Sequence, residues 1–308
     1  MDIHNLEQIK QEFSGFQQEF ENGNKEKALE KLLELLDALE KADTSRRAAQ
    51  IDKDGNVTLS SEIPAGKPAA EKSAEDGTGK SQPLYMSLNH VMEYYIFAYY
   101  FQPATEVRCT DIPYGEYYRT YGQLALSMQK YNGAKKAYER AIAWNPVDLD
   151  AYLGLAEVYK YQNQREKYLT VTKQAYRYCC TRATMARYYR NMAFYYLSGY
   201  EPETARACYQ YSNVYYHTEN ADSELKYISE AIQQETPQTD IRAIQKLFDE
   251  KQIEPGPDSQ TIGIVYKVGE ILLKDGDYKL AKDCYSIVYD ITQDAAAEKM
   301  LNELEAAI

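Results

Sequence analysis

Gly115–Pro146, GEYYRTYGQLALSMQKYNGAKKAYERAIAWNP, carries two amphipathic helical patterns that meet at a break over Lys130–Gly133. In the first, Tyr118, Tyr121, Gly122 and Ala125 recur at i, i+3, i+4 and i+7 and define one apolar face. Ala134, Tyr138 and Ala141 do the same in the second, which Asn145-Pro146 stops. Gly122 faces Ala134 and Ala141, so little side-chain bulk separates the two helices. A hairpin of this size cannot bury its own apolar face and needs neighbours.

The order aromatic, Gly, Ala, aromatic, Ala, Pro in this stretch resembles one tetratricopeptide repeat (TPR) of the bacterial type, a motif that returns every ~34 residues. Counting on, a unit starting at Leu149 supplies Tyr152, Leu155, Ala156, Tyr159 and Ala175, with Tyr168 where a small residue is usual. A unit starting at Ala186 supplies Tyr189, Met192, Ala193, Tyr196, Ala205 and Tyr209, after extra residues around Cys180–Met185. One starting at Ile262 supplies Val265, Val268, Gly269, Leu272, Ala281, Tyr285 and Val288. The expected units are therefore 115–148, 149–182, 186–219 and 262–295, followed by a polar-faced capping helix over 296–308. The resemblance implies an all-α fold of stacked antiparallel helical hairpins in a right-handed superhelix whose first helices line a concave groove. It also implies a non-enzymatic scaffold that binds a peptide segment or partner protein in that groove.

Elsewhere the pattern is looser. Residues 1–43 read as a helical hairpin broken at Asn22-Gly23-Asn24, and Ala28, Leu32, Leu35, Leu36 and Leu39 form one stripe of its second helix. Residues 44–83 read as a flexible linker or small hairpin, with Asp54-Gly55 as the turn. The array is expected over 84–308, opening with an aromatic helix at 84–101. Two weaker helices, near Ser223–Gln234 and Thr239–Lys251, precede the break Glu254-Pro255-Gly256-Pro257-Asp258, and either a degenerate repeat or an insertion fits them.

Charge divides the chain in the same places. Residues 1–82 carry a net −6, 83–219 a net +3 and 220–308 a net −9, within a total of −12. The basic middle holds 26 of the 31 tyrosines, which makes it the chemically distinct part. No apolar run approaches the ~18 residues of a membrane span. The opening MDIHNLEQIKQEF has acids and no apolar core, so a cytoplasmic protein without a secretory signal is expected. Five cysteines without C-x-x-C spacing agree with reduced packing residues.

Motifs of chemistry are weak. Ala74–Ser81, AEDGTGKS, meets a relaxed phosphate-loop pattern, but no strand feeds it and Pro83 follows at once, so a solvated linker is the better reading. Asp52-x-Asp54-x-Asn56 has the start of a calcium loop, but Val57 and Ile63 stand where Gly and Glu are needed, and a turn is favoured. His4, His90 and His217 are scattered, so no metal or cofactor is expected and no enzyme reading has a residue to rest on.

What remains is the groove that the resemblance implies, where positions 2, 5, 9 and 12 of each first helix project. These are Glu116, Arg119, Gln123 and Leu126, then Asp150, Leu153, Glu157 and Lys160, then Arg187, Arg190, Phe194 and Leu197. The candidate partner-binding set is Arg119, Gln123, Leu153, Glu157, Arg187, Arg190 and Phe194. In relatives that clamp a peptide's terminal carboxylate, Lys, Asn and Arg do the work. Arg119, Gln123 and Arg187 approximate that set, whereas Gly154 and Asn191 depart from it. Three arginines and a Phe suit an acidic, apolar-containing segment. The same arginines have a second use open to them, pairing with Glu116, Asp150 and Glu157. Single-stranded RNA binding, with Arg on phosphate and Tyr on bases, is opposed by the acidic net charge. A purely structural oligomer subunit is the third reading.

Overall fold

The computed structural model describes residues 6–42, 46–60 and 83–307, and among them are fourteen helices and five short strands. The Ala74–Ser81 octet and most of the expected linker lie outside the described residues. Contacts divide the chain into two compact units, Met1–Lys167 and Tyr168–Ile308.

The first unit opens with α1 (Leu6–Glu21) and α2 (Lys25–Ala42), an antiparallel pair turned by Gly23 at φ +79°. Seven residues of α2 are buried, among them Ala28, Leu32, Leu35, Leu36 and Leu39. This hairpin does not stand apart. It packs on α4 (Tyr114–Ser127), where the Phe13 ring stacks on Tyr117 with centroids 4.3 Å apart. The Tyr118 hydroxyl donates to Glu40, and Arg47 pairs with the same carboxylate.

Three short strands, β1 (Arg46–Arg47), β4 (Leu84–Met86) and β5 (Val107–Cys109), form a parallel sheet in the order β1-β4-β5. The aromatic helix expected from residue 84 is thus a strand first and becomes helix only at α3 (Val91–Phe101). Leu84 and Met86 are both fully buried with Tyr85 between them half-buried, a period of two that no helix satisfies. A separate antiparallel pair, β2 (Ala49–Ile51) with β3 (Val57–Leu59), packs against α5 (Tyr131–Trp144). Asp52 closes its turn, accepting from the Asp54 and Asn56 backbone amides at 2.8 and 2.9 Å. A carboxylate already satisfied by its own loop is an Asx turn, which is how Asp stabilises such a bend.

Helices α4 and α5 form the hairpin at the centre of the quoted stretch, and α6 (Leu149–Tyr161) packs on both. Tyr138 of α5 is 2 % exposed and lies against Gly122 of α4 and Gly154 of α6. Asn145 ends α5 in an extended conformation. Asp148 caps α6 by accepting from the Ala151 amide at 3.2 Å, so the chain reverses within a few residues.

Helix α7 (Arg165–Tyr176) holds the boundary between the units. In the second unit, α8 (Arg182–Ser198) pairs with α9 (Pro202–Tyr215), and α12 (Ser259–Lys274) with α13 (Tyr278–Thr292). Thr181 caps α8, accepting from the Thr184 amide while the Thr184 hydroxyl accepts from its own. Between the pairs, α10 (Glu219–Ile232) and α11 (Ile241–Lys251) each pack on α9. Helix α14 (Ala295–Ala307) covers α13, burying Ala297 and Leu304.

A shared register runs through the hairpins. Tyr118, Gly122 and Ala125 of α4 are buried, as are Tyr152, Ala156 and Tyr159 of α6, Tyr189, Ala193 and Tyr196 of α8, and Val265, Gly269 and Leu272 of α12. The link after each of these helices has one residue in the left-handed region: Gln129, Asn163, Tyr200 and Gly276. Each is the fifteenth residue counted from Gly115, Leu149, Ala186 and Ile262. A left-handed residue one step beyond a helix end turns the chain back and lets the following amide reach the last turn. Lys130, Gln164, Glu201 and Asp277 donate in that way to Ala125, Tyr159, Tyr196 and Leu272.

Candidate functional site

The groove-directed residues fall in both units, and their surroundings differ. Arg119 is committed to its own unit. Its guanidinium pairs with Asp148 at 3.2 Å and Asp150 at 3.3 Å and donates to the Asn89 side chain at 2.8 Å. Asn89 in turn donates to Glu93 at 2.9 Å and to Asp148 at 3.3 Å, and Asn145 donates to Glu93 at 2.8 Å. Asp148 and Glu93 are buried, so one arginine and two asparagines hold two acids inside the protein. Burial pushes the Asp148 carboxyl up to about 6, with Glu93 adding to the rise and Arg119 opposing it. The sequence placed Arg119 on a ligand-facing surface; its contacts make it the internal counter-ion of a buried acid.

Of the other positions in this unit, Gln123 is exposed and Glu157 pairs with Lys160 of the same helix at 3.8 Å. Leu153 is 2 % exposed and belongs to the packed interior, because α6 is buried on most of its circumference.

Arg187, Arg190 and Phe194 follow one another on α8 at spacings of three and four, which puts them on one side of the helix. Both arginines are half-buried, and neither makes an ion pair or hydrogen bond among the described residues. The Arg190 Nη1 is fully buried and lacks a partner. Burial and then the neighbouring Arg187 charge lower the Arg190 pKa, opposed by Tyr209. Phe194, also half-buried, meets the Tyr168 ring edge-on at 5.3 Å, and the Tyr168 hydroxyl donates to the Asn191 carbonyl at 3.1 Å. That bond accounts for a tyrosine where the repeat pattern expects a small residue: its polar end finds a backbone acceptor inside the unit.

One shallow cleft of about 540 Å³ lies in the second unit and was not legible in the sequence. Ile262, Tyr266, Val288 and Ala296 line it, from α12, α13 and the start of α14. No group of His, Cys, Asp and Glu among the described residues is arranged to hold a metal ion. The cysteines are free, and burial raises the thiols of Cys180 and Cys284 to about 11, which makes them poor nucleophiles. No helix among the described residues is long and apolar enough to cross a membrane.

Residues 115–148 match the family model of the tetratricopeptide repeat, so the α4–α5 hairpin and its link to α6 constitute one such repeat. The match covers that one hairpin; the helices on either side of it form further consecutive pairs. No curated protein matches the sequence. Among solved structures, the crystal structure of the APC/C hetero-tetramer Cut9-Hcn1 is similar at 14 % identity and a TM-score of 0.36. The similarity covers 64 % of this chain and 38 % of that one, so this chain corresponds to well under half of that protein's length.

Proposed function

We propose that the protein is a non-enzymatic interaction scaffold, and that its α8 face receives an acidic, apolar-containing segment of a protein partner. The observation that carries this reading is the Arg187–Arg190 pair, two adjacent cations without an ion pair among the described residues, one with a buried N–H that has no partner among them. Leaving a buried donor unsatisfied is costly, and a carboxylate bound there would accept from it in a charge-assisted bond. Phe194, one turn further, offers an apolar contact beside the charges. Arg119 takes no part in this reading, and neither does the buried Leu153. Gln123 and Glu157 belong to the first unit and take no part in it either.

The test is a fluorescence titration of the whole protein with a labelled peptide alternating Glu and Leu, beside the double change Arg187→Glu/Arg190→Glu. Binding that weakens with salt and is lost in the double variant supports the reading. Equal binding by both proteins would remove it. A labelled oligouridylate that binds in place of the peptide would move the assignment to single-stranded RNA.

A further inference from the structure

The break at Glu254–Asp258 is held by tyrosines that arrive from three helices. Tyr189 of α8 donates to the Glu254 carbonyl at 2.9 Å, Tyr211 of α9 to Pro255 at 2.5 Å, and Tyr176 of α7 to Gly256 at 3.0 Å. Tyr196 reaches the Lys251 carbonyl at 3.5 Å. Three consecutive backbone carbonyls thus accept from three separate hydroxyls, while Pro255 and Pro257 have no N–H to offer. Neighbouring rings make the bed on which the segment lies: Tyr189 stands edge-on to Tyr211 at 4.9 Å and tilted to Tyr215 at 5.6 Å, and Phe248 of α11, on the resident side, stacks on Tyr189 at 5.6 Å.

We infer that this tyrosine face of α7, α8 and α9 is a binding site for a proline-containing peptide segment, occupied in this protein by its own residues 251–257. The chemistry is selective. A surface that presents hydroxyl donors to successive carbonyls leaves no role for backbone N–H groups, so a chain in which proline has removed them loses nothing on docking. Recognition through carbonyls also ignores most side chains; Glu254 and Pro255 are exposed, and only Ile253 is fully buried.

The occupant is held chiefly by polar contacts, to which Lys251 adds an ion pair with Glu201 and Gln245 a bond to the Tyr211 hydroxyl at 3.0 Å, and its apolar anchorage is slight. Helix α11 buries Ile244 and Phe248 alone, α10 buries Ala221 and Ile228 alone, and the connection 233–240 between them is exposed or half-exposed throughout. Segments with few buried apolar contacts open at free energies well below that of global unfolding. Release of 241–257 would uncover Tyr176, Tyr189 and Tyr211 without disturbing the α8–α9 pair. Tyr189 stands about 200° around α8 from Arg187 and about 100° from Arg190, so the tyrosine and the arginine pair point in different directions.

The probe is a labelled peptide reproducing Lys251–Asp258, KQIEPGPD, followed by anisotropy with the full-length protein. Phe248→Ala loosens the resident segment, and apparent affinity should rise about tenfold or more over the native protein, because the competent state becomes more populated. Tyr189→Phe/Tyr211→Phe in that background should abolish the gain, as should a peptide with both prolines changed to Ala. No binding to a Phe248→Ala protein of native helicity would overturn the inference, and so would dimerisation of that variant with the peptide excluded. Hydrogen exchange on the native protein decides the matter even if the variant does not fold. Residues 241–257 are expected to exchange before α8 and α9, and exchange only together with them would rule the site out.

Discussion

A Cβ atom built on Gly154 would stand 2.2 Å from Cε1 of Tyr138. The α5 ring therefore occupies the very space that any other residue at that point of α6 would need. Its opposite neighbour, Gly122, is less tight, with the same atom 2.9 Å from Tyr138 Cζ. Gly154→Ala is expected to destabilise the protein by roughly 1–3 kcal/mol through overpacking, and Gly122→Ala by less. Urea denaturation of the two variants gives the order directly. A Gly154→Ala protein as stable as the parent would mean that the Tyr138 ring has room to move.

Asp148 makes a pH prediction of unusual sign. Its folded value, about 6, lies above the ordinary carboxylate value, so the folded protein binds this proton more tightly than the unfolded chain does. Its unfavourable contribution is full above pH 6 and shrinks as pH falls towards 4. Arg119 and Glu93 face it, Asp150 shares Arg119, and His90 lies beside Glu93. Asp148→Asn keeps a competent helix cap and removes the titration. The urea midpoint of the native protein, relative to that of the variant, should therefore rise from pH 7 to pH 4. Parallel profiles would show that the carboxyl does not titrate in that window.

Arg119 yields a separate expectation. Arg119→Glu would place a third acid beside Asp148 and Glu93 and remove their cation, at a cost of roughly 3–5 kcal/mol. The same exchange at Arg187 and Arg190, which pair with nothing among the described residues, should change the thermal midpoint little. Thermal melts of the two variants distinguish an internal counter-ion from arginines that pair with no acid among the described residues. Equal losses would argue that the α8 arginines are structural too.

Glu40 joins the N-terminal hairpin to the repeat by accepting from Tyr118 and pairing with Arg47. Glu40→Ala strands the buried Tyr118 hydroxyl and should cost about 1–3 kcal/mol. Protease sensitivity of α1 and α2 should rise first. An unchanged cleavage pattern would indicate that Phe13 on Tyr117 suffices to hold the hairpin.

The α4–α5 hairpin was legible in the sequence because its signal is local: aromatic and small residues at helical spacing, then Asn-Pro. The parallel sheet was not. Its strands are two or three residues long and come from 46–47, 84–86 and 107–109, so no stretch carries its own period. Arg119 was legible as a cation on a helix, but its partners Asn89 and Asp148 lie about thirty residues away on either side. Distance in sequence likewise hid the hold on Pro255, since the tyrosines that grip the break belong to three helices. Leu153 was assigned to the groove by position within a repeat, and the amount of neighbouring chain that covers α6 is not a property of one repeat.

The left-handed residues at the helix ends have an evolutionary consequence. Outside glycine, Gln102, Gln129, Asn163, Tyr200, Gln233, Gln252 and Gln293 adopt positive φ. Glycine would take that conformation without the steric cost of roughly 1 kcal/mol that a Cβ imposes there. Every link that uses such a residue carries a local steric cost that its geometry does not require, and a substitution by glycine would relieve it. Mutation can therefore tune the stability of successive hairpins one at a time, at sites apart from the arginine pair, with Gln252 the one that lies in the segment held by the tyrosine face.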